Sequence, residues 1–520
     1  MAADESRLPV TILSGFLGDG KTTLLEYILK NKDHGMRCAV IVNDIGALNI
    51  DASLVKQHNV SQSKESILSL KNGCICCTLR GDLLEEVAAL AEAKSFDYLL
   101  IESSGVSEPQ QVAETFAVEF AEMHLQAADD LKAEAEREAK NSLKLADILG
   151  QGGLPKVARL DTCVTVVDAC QVLDNFNTSD FLSDRREPGT VDDQDERNIS
   201  DLMVDQLEFA DVIIINKTDL VDAATLAKVK GLVKTLNPSA DVLTSVKSKI
   251  DLTRILNTKR FSFEKSMMSA GWLQSLREVH VPETLEYGIG TFVYRARRPF
   301  APLRLWETIR NRLVVIQDSY EDMLEGMEIS HEDGSDGSDA EDDAMDEDED
   351  DEEDEEDAQP QLDPVARLAS KNADPAFGPL LRSKGFLWLA TRPVMSGEWS
   401  QAGVMLTIGG GAKWLAETPL DEWPSDAKIR RKMRGDFEGE WGDRRQEIVF
   451  IGEKIDTIRP LLTAELDGCL LTDSEMKEYR KIMKGKGSME KKIQRLENRW
   501  DDGFESWEPP VEEGHEGHDH

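Results

Sequence analysis

The chain has 520 residues, 40% of them hydrophobic, enough for two or three domains with proper cores. A formal net charge of −40 argues against nucleic-acid binding through a basic face, and no stretch approaches the roughly 18 consecutive apolar residues of a membrane span. Seven cysteines in so long a chain make no disulfide framework, and the opening "MAADESRLPV" is not a secretory signal, so the expected setting is a reducing one, cytoplasmic or nuclear.

In chain order, short β-branched runs come first: "PVTILS" (9–14), "CAVIVN" (38–43), "SILSL" (66–70), "DYLLIES" (97–103), "TCVTVVDA" (162–169) and "DVIIINK" (211–217). Helical patterns separate most of them, which is the rhythm of an α/β, doubly wound parallel sheet. This first domain is expected over 1–275, with a polar helical insertion at about 120–155. A smaller α+β domain is expected over 285–472. Its strands are read from "GIGTFVYRARRPF" (288–300), "GFLWLAT" (385–391), "WSQAGVMLTIG" (399–409) and "EIVFIG" (447–452), with a helix over 302–313. Residues 332–357 hold 19 acidic side chains, an insertion at about 331–363 expected to be disordered and solvating. A charged helical tail, 473–520, ends in "GHEGHDH", with His515, His518 and His520.

"GFLGDGKTT" (15–23) has the pattern G-x-x-x-x-G-K-[ST], between a strand and a helix. The expected nucleotide contacts are Gly15, Gly18, Asp19, Gly20, Lys21, Thr22 and Thr23. Glycines let backbone N–H groups face phosphate oxygens, Lys21 offsets their charge, and the Thr22 hydroxyl binds magnesium. Asp19 places a negative charge in this loop, so its side chain is expected to point outward, toward a metal, a partner or solvent.

"NKTD" (216–219) closes the strand "DVIIIN". The Asp219 carboxylate suits the two N–H donors of guanine, which adenine lacks; Asn216 braces the loop and the stem of Lys217 covers the base. "ESSGVSEP" (102–109) offers Glu102 to act through water on magnesium or on the attacking water, and Gly105 to donate its N–H to a γ-phosphate. "NDIGALNID" (43–51) adds Asp44 and Asp51.

"NGCICCTLR" (72–80) concentrates Cys74, Cys76 and Cys77. A disulfide between adjacent cysteines is strained, and the spacing C-x-C-C is not that of the common redox pair. Soft-metal binding suits thiolates best, with zinc or copper(I) as the ion, while buried small hydrophobes remain the plain alternative. Three thiolates leave a fourth position that Asp44 or another acid of the 43–51 loop could fill. Metal and γ-phosphate would then touch one loop, which links nucleotide state to metal affinity. Cys38, Cys163, Cys170 and Cys469 read as small hydrophobes.

"SGFLGDGKTT", "NDIGALNID", "GCICC", "ESSGVSEP" and "NKTD", in this order, resemble the CobW-type metal GTPases, and the second half looks like the CobW C-terminal domain. The resemblance implies a P-loop GTPase that hydrolyses GTP to GDP with magnesium, carries zinc (cobalt in some members) on the C-x-C-C cysteines, and delivers it to a metalloprotein client. Many relatives carry Glu at the position of Asp44. The Cys-Pro motif with which eukaryotic zinc members dock a methionine aminopeptidase has no counterpart ahead of this P-loop, so that client is not implied. Lys21 and Glu102 are the residues expected to support hydrolysis, with slow intrinsic turnover. A zinc buffer or sensor without a client, and a regulatory GTPase with a structural zinc, are the alternative readings.

Overall fold

The computed structural model describes residues 7–43, 67–70, 80–117, 153–182, 184, 198–267, 288–317, 364–420, 423 and 427–507. Asp44, Asp51, the cysteine triplet, the polar stretch 120–149, the acidic run and the tail histidines lie outside these residues.

Seven parallel strands make the first sheet: β1 (Leu8–Ser14), β2 (Cys38–Asn43), β3 (Ile67–Leu70), β4 (Tyr98–Glu102), β5 (Ala158–Asp168), β6 (Val212–Asn216) and β7 (Asp241–Thr244). Their order is β3-β2-β4-β1-β5-β6-β7, so the chain reverses direction across β1. The period of two decides which core each side chain enters. Val10, Ile12, Ile41 and Ile101 face helix Arg80–Ala93, whereas Leu13, Val40, Val42 and Leu100 face helix Lys21–Lys30. Helices cover both faces of β1, β2 and β4, which is why these strands are mostly apolar. Strand β7 was not among the sequence-read runs; "DVLT" is an edge strand, half-buried along most of its length.

The second sheet has the order β8-β13-β10-β11-β12-β9. Its strands are β8 (Ile289–Ala296), β9 (Val314–Gln317), β10 (Leu380–Leu387), β11 (Met395–Ala402), β12 (Met405–Lys413) and β13 (Gln446–Glu453). Only β9 pairs in parallel, against β12. The acidic run is thus inserted between two strands of one sheet. The expected single strand over 399–409 is instead a hairpin, in which Ala402 opposes Met405 and Gly403 turns with φ 58°. Helices Pro302–Arg310 and Ile455–Cys469 cover one face over Phe292, Trp399 and Phe450. The expected helical tail is two helices, Asp473–Met483 and Met489–Glu497. They pack Tyr479, Leu496 and Trp500 onto Trp388, so this segment belongs to the second core.

The other face of the second sheet joins the first unit. Ile289, Val449, Ile451 and Ala402 share a core with helices Val172–Phe176, Ile199–Glu208 and Ala223–Leu236. Among the described residues no helix is long and apolar enough to cross a membrane.

Gly403 sits at this junction. A Cβ there would lie 2.1 Å from the Phe176 carbonyl oxygen, at a backbone angle that L side chains disfavour. Gly403→Ala is expected to destabilise the chain by at least about 1 kcal/mol, read as a lower urea midpoint; an unchanged midpoint would contradict the packed junction.

Candidate nucleotide-binding site

The P-loop leaves β1 at Ser14 and enters helix Lys21–Lys30 at Gly20. Gly15 and Gly20 have φ 133° and 109°. A Cβ on Gly15 would lie 2.2 Å from the Val166 carbonyl oxygen, and one on Gly20 2.4 Å from Asn216 Nδ2. These glycines are therefore demanded by both angle and space. Lys21 is buried, and its ammonium donates to the carbonyls of Gly15 at 2.8 Å and Phe16 at 3.0 Å. That folds the charge over the loop, where phosphates would replace the carbonyls. Gly18 lies in open space and Thr23 is exposed.

The Thr22 hydroxyl donates to Glu102 Oε1 at 2.9 Å, and Glu102 is buried at the end of β4. A hydroxyl and a carboxylate side by side are hard oxygen donors that fit magnesium, which when bound would neutralise β- and γ-phosphate charge. Of the two roles open to Glu102, this contact favours support of the metal over activation of water.

Asp19 corrects the expectation of an outward side chain. It is 4% exposed and turns inward, where Oδ2 accepts the Phe16 N–H at 2.9 Å. The glycines on either side let the backbone tuck the side chain under the loop, where it caps that donor at the cost of desolvation. Burial pushes its carboxyl up to about 7, against the pull of Lys21 and the Phe16 N–H.

The base-reading loops meet at Asn216. Its Nδ2 donates to the Asp19 carbonyl at 2.9 Å and to Ser248 Oγ at 3.0 Å. Its Oδ1 accepts Ser245 Oγ and the Ser248 N–H, each at 2.9 Å. Asp219 is exposed in the short turn Thr218–Leu220. Lys217, at φ 58°, is tied by its ammonium to Asp168 Oδ2 at 2.6 Å. Thr218, Ser245, Val246 and Lys247 help line a cavity of about 560 Å³, within the usual range for a small-molecule site.

Asp168 and the loop Ser245–Lys249 are candidate site residues that the sequence reading missed. A Ser- and Lys-rich turn after a strand was the available signal for the loop, hidden because that strand was itself unread. Gly105 packs against the P-loop, where a Cβ would lie 2.7 Å from the Leu17 side chain. Strands β2 and β3 end in register, Asn43 opposite Leu70. Asp44 follows the first by one residue and Cys74 the second by four. Among the described residues no group of three or more His, Cys, Asp or Glu side chains could hold a metal ion. Cys38, Cys163 and Cys469 are buried, as expected of small hydrophobes; Cys170 is exposed, its N–H donating to Asp168 Oδ1.

This fold and loop set define a P-loop nucleotide-binding protein. The CobW/HypB/UreG nucleotide-binding domain matches residues 9–135 and 137–244, and the cobalamin synthesis protein cobW C-terminal domain matches 360–470. The zinc-regulated GTPase metalloprotein activator 1 of Dictyostelium discoideum is 38% identical over 478 residues, covering 90% of this chain and 81% of its own. The zinc chaperone CobW of a Sinorhizobium species is 32% identical over 44% of this chain and 56% of its own. The chain belongs to the CobW/HypB/UreG family and carries the CobW C-terminal domain.

Between the ordinary carboxylate value of 3.8 and about 7, the folded chain keeps on Asp19 a proton that the unfolded chain has released. Stability from this group therefore falls as pH rises through that window. Bound phosphates favour the protonated form, so GDP affinity is expected to fall from pH 6 to pH 8. In Asp19→Asn, which keeps an acceptor for Phe16, the profile flattens; binding titrations across this range check it, and parallel profiles would contradict it.

Proposed function

We propose that the chain is a magnesium-dependent GTPase that carries zinc, or another transition metal such as cobalt, to a metalloprotein client. The observation that carries the nucleotide half is Asn216, whose one amide joins the P-loop to both base-reading loops. The metal half is supported by the C-x-C-C triplet at the carboxyl side of β3, and by relatives named for zinc. In this reading Cys74, Cys76 and Cys77 hold the cargo, and Asp44 is the candidate fourth ligand.

The residues divide the work. Asp219 reads guanine, Lys217 covers the base while Asp168 holds its ammonium, and Asn216 fixes the distance from base to phosphates. Lys21 leaves the carbonyls of Gly15 and Phe16 for the β- and γ-phosphates, and Thr22 with Glu102 would hold magnesium. Gly105 donates its N–H to the γ-phosphate. Water then displaces GDP from the γ-phosphorus, yielding GDP and phosphate. No arginine is assigned to the transferring charge, in keeping with slow intrinsic turnover.

Lys21→Ala is expected to lower GTP hydrolysis by on the order of a hundredfold, and chelating magnesium should abolish it. Asp219→Asn should exchange preference from GTP toward xanthosine triphosphate, because the amide offers a donor where xanthine has a carbonyl. Competition binding reads this directly, and unchanged GTP preference would sink the base assignment. For delivery, the GTP-state protein should retain one specific apo-metalloenzyme from metal-starved cells that the GDP-state protein releases.

A further inference from the structure

Helix Ile199–Glu208 touches the turn after β4 with one side and the second sheet with another. Gln206 is 1% exposed, and its Nε2 donates to the carbonyls of Gly105 at 3.3 Å and Ser107 at 3.2 Å. Its own carbonyl accepts Thr165 Oγ1 at 2.6 Å. Thr165 Oγ1 in turn lies 2.8 Å from Ser14 Oγ, the last residue before the P-loop. Gln206 therefore grips the turn that carries Gly105 while being anchored to the root of the phosphate loop.

Asp201, Asp205 and Glu208 recur at spacings of four and three, which puts them on one side of the helix. That side meets Arg382 of β10, itself 1% exposed. Arg382 lies 3.5 Å from Asp201 Oδ1 and 3.5 Å from Glu208 Oε1. Its Nη1 also donates to Ser400 Oγ at 2.9 Å and to the Gln401 carbonyl at 3.3 Å, both on β11. Separating a buried guanidinium from its carboxylates is costly, so a shift of the helix is handed on to β10 and β11 rather than absorbed at the contact.

We propose that Gln206 is a positioning residue for the γ-phosphate-binding turn, and that helix Ile199–Glu208 carries the occupancy of that turn to β10 and β11 through Arg382. The inference rests on the GTP reading above. With GDP the Gly105 turn is held by Gln206; with GTP it is also held by the γ-phosphate, and the two states differ in where the helix sits. The second domain thereby senses the nucleotide, and by linkage its own contacts feed back on nucleotide affinity.

The test is backbone hydrogen exchange of the full chain with GDP–magnesium and with a non-hydrolysable GTP analogue. In the wild type, protection of Leu380–Leu387 and Met395–Ala402 is expected to differ between the two. Gln206→Met keeps the side-chain volume but loses both donors. It should hold GDP within about twofold, weaken the analogue by about tenfold, and erase the difference in β10 and β11. A general packing defect would weaken both nucleotides alike. Equal protection in the wild type would overturn the relay whether or not the variant folds, as would a difference that survives Gln206→Met. Failure of the wild type to bind the analogue at all would instead strike the GTP reading.

Discussion

One amide holds the nucleotide site together. Asn216 uses both donors and both lone pairs of its side chain, spanning from the P-loop carbonyl of Asp19 to Ser245 and Ser248. It stands at the carboxyl end of β6, while the P-loop springs from β1, two strands away. In the proposed reading, the position of base relative to phosphate is set by a buried side chain rather than by loop backbone. Gly20 is its counterpart, since any side chain there would displace the Asn216 amide.

Around that joint the chain solves an electrostatic problem. A protein of net charge −40 must accept a polyanion. In the proposed reading it does so by local means, with the buried Lys21 and the N-terminus of helix Lys21–Lys30, whose amide dipoles favour negative charge. The inward Asp19 works against this unless protonated, and Lys217 is paired with Asp168. Where helix Ile199–Glu208 meets β10, the same chain buries Arg382 against Asp201 and Glu208, whose carboxyls burial pushes upward. Charge is spent where two loops or two units must keep register.

Much of this was legible in the residues. Six of the strands announce themselves because buried parallel strands read as short, mostly apolar and β-branched runs, as in "DVIIIN" and "CAVIVN". The P-loop and the N-K-x-D turn are legible because their chemistry needs specific residue types at fixed spacing. What escaped was decided by tertiary partners. Strands β7 and β9 are edges of four residues each, too short to show an alternation, and "VVIQ" runs on directly from a helical stretch. The hairpin at Gly403 hides inside one apolar run because its turn is only two residues long. Asp19 could be expected to face out from charge alone, yet its direction follows from the Phe16 N–H that it caps. The tail reads as a charged helix because Tyr479, Leu496 and Trp500 are sparse among charges, and the presence of Trp388 explains them.

The central claim is that nucleotide state governs the hold on a metal. Its most direct test is the zinc affinity of the purified chain, by chelator competition, first with GDP–magnesium and then with a non-hydrolysable GTP analogue. The account predicts tighter binding with the analogue by about tenfold or more, equivalent to roughly 1.4 kcal/mol of coupling, and loss of that binding when Cys74, Cys76 and Cys77 are replaced. Equal affinities in the two states, with zinc still held by those cysteines, would contradict it and leave a structural or storage metal in place of a cargo.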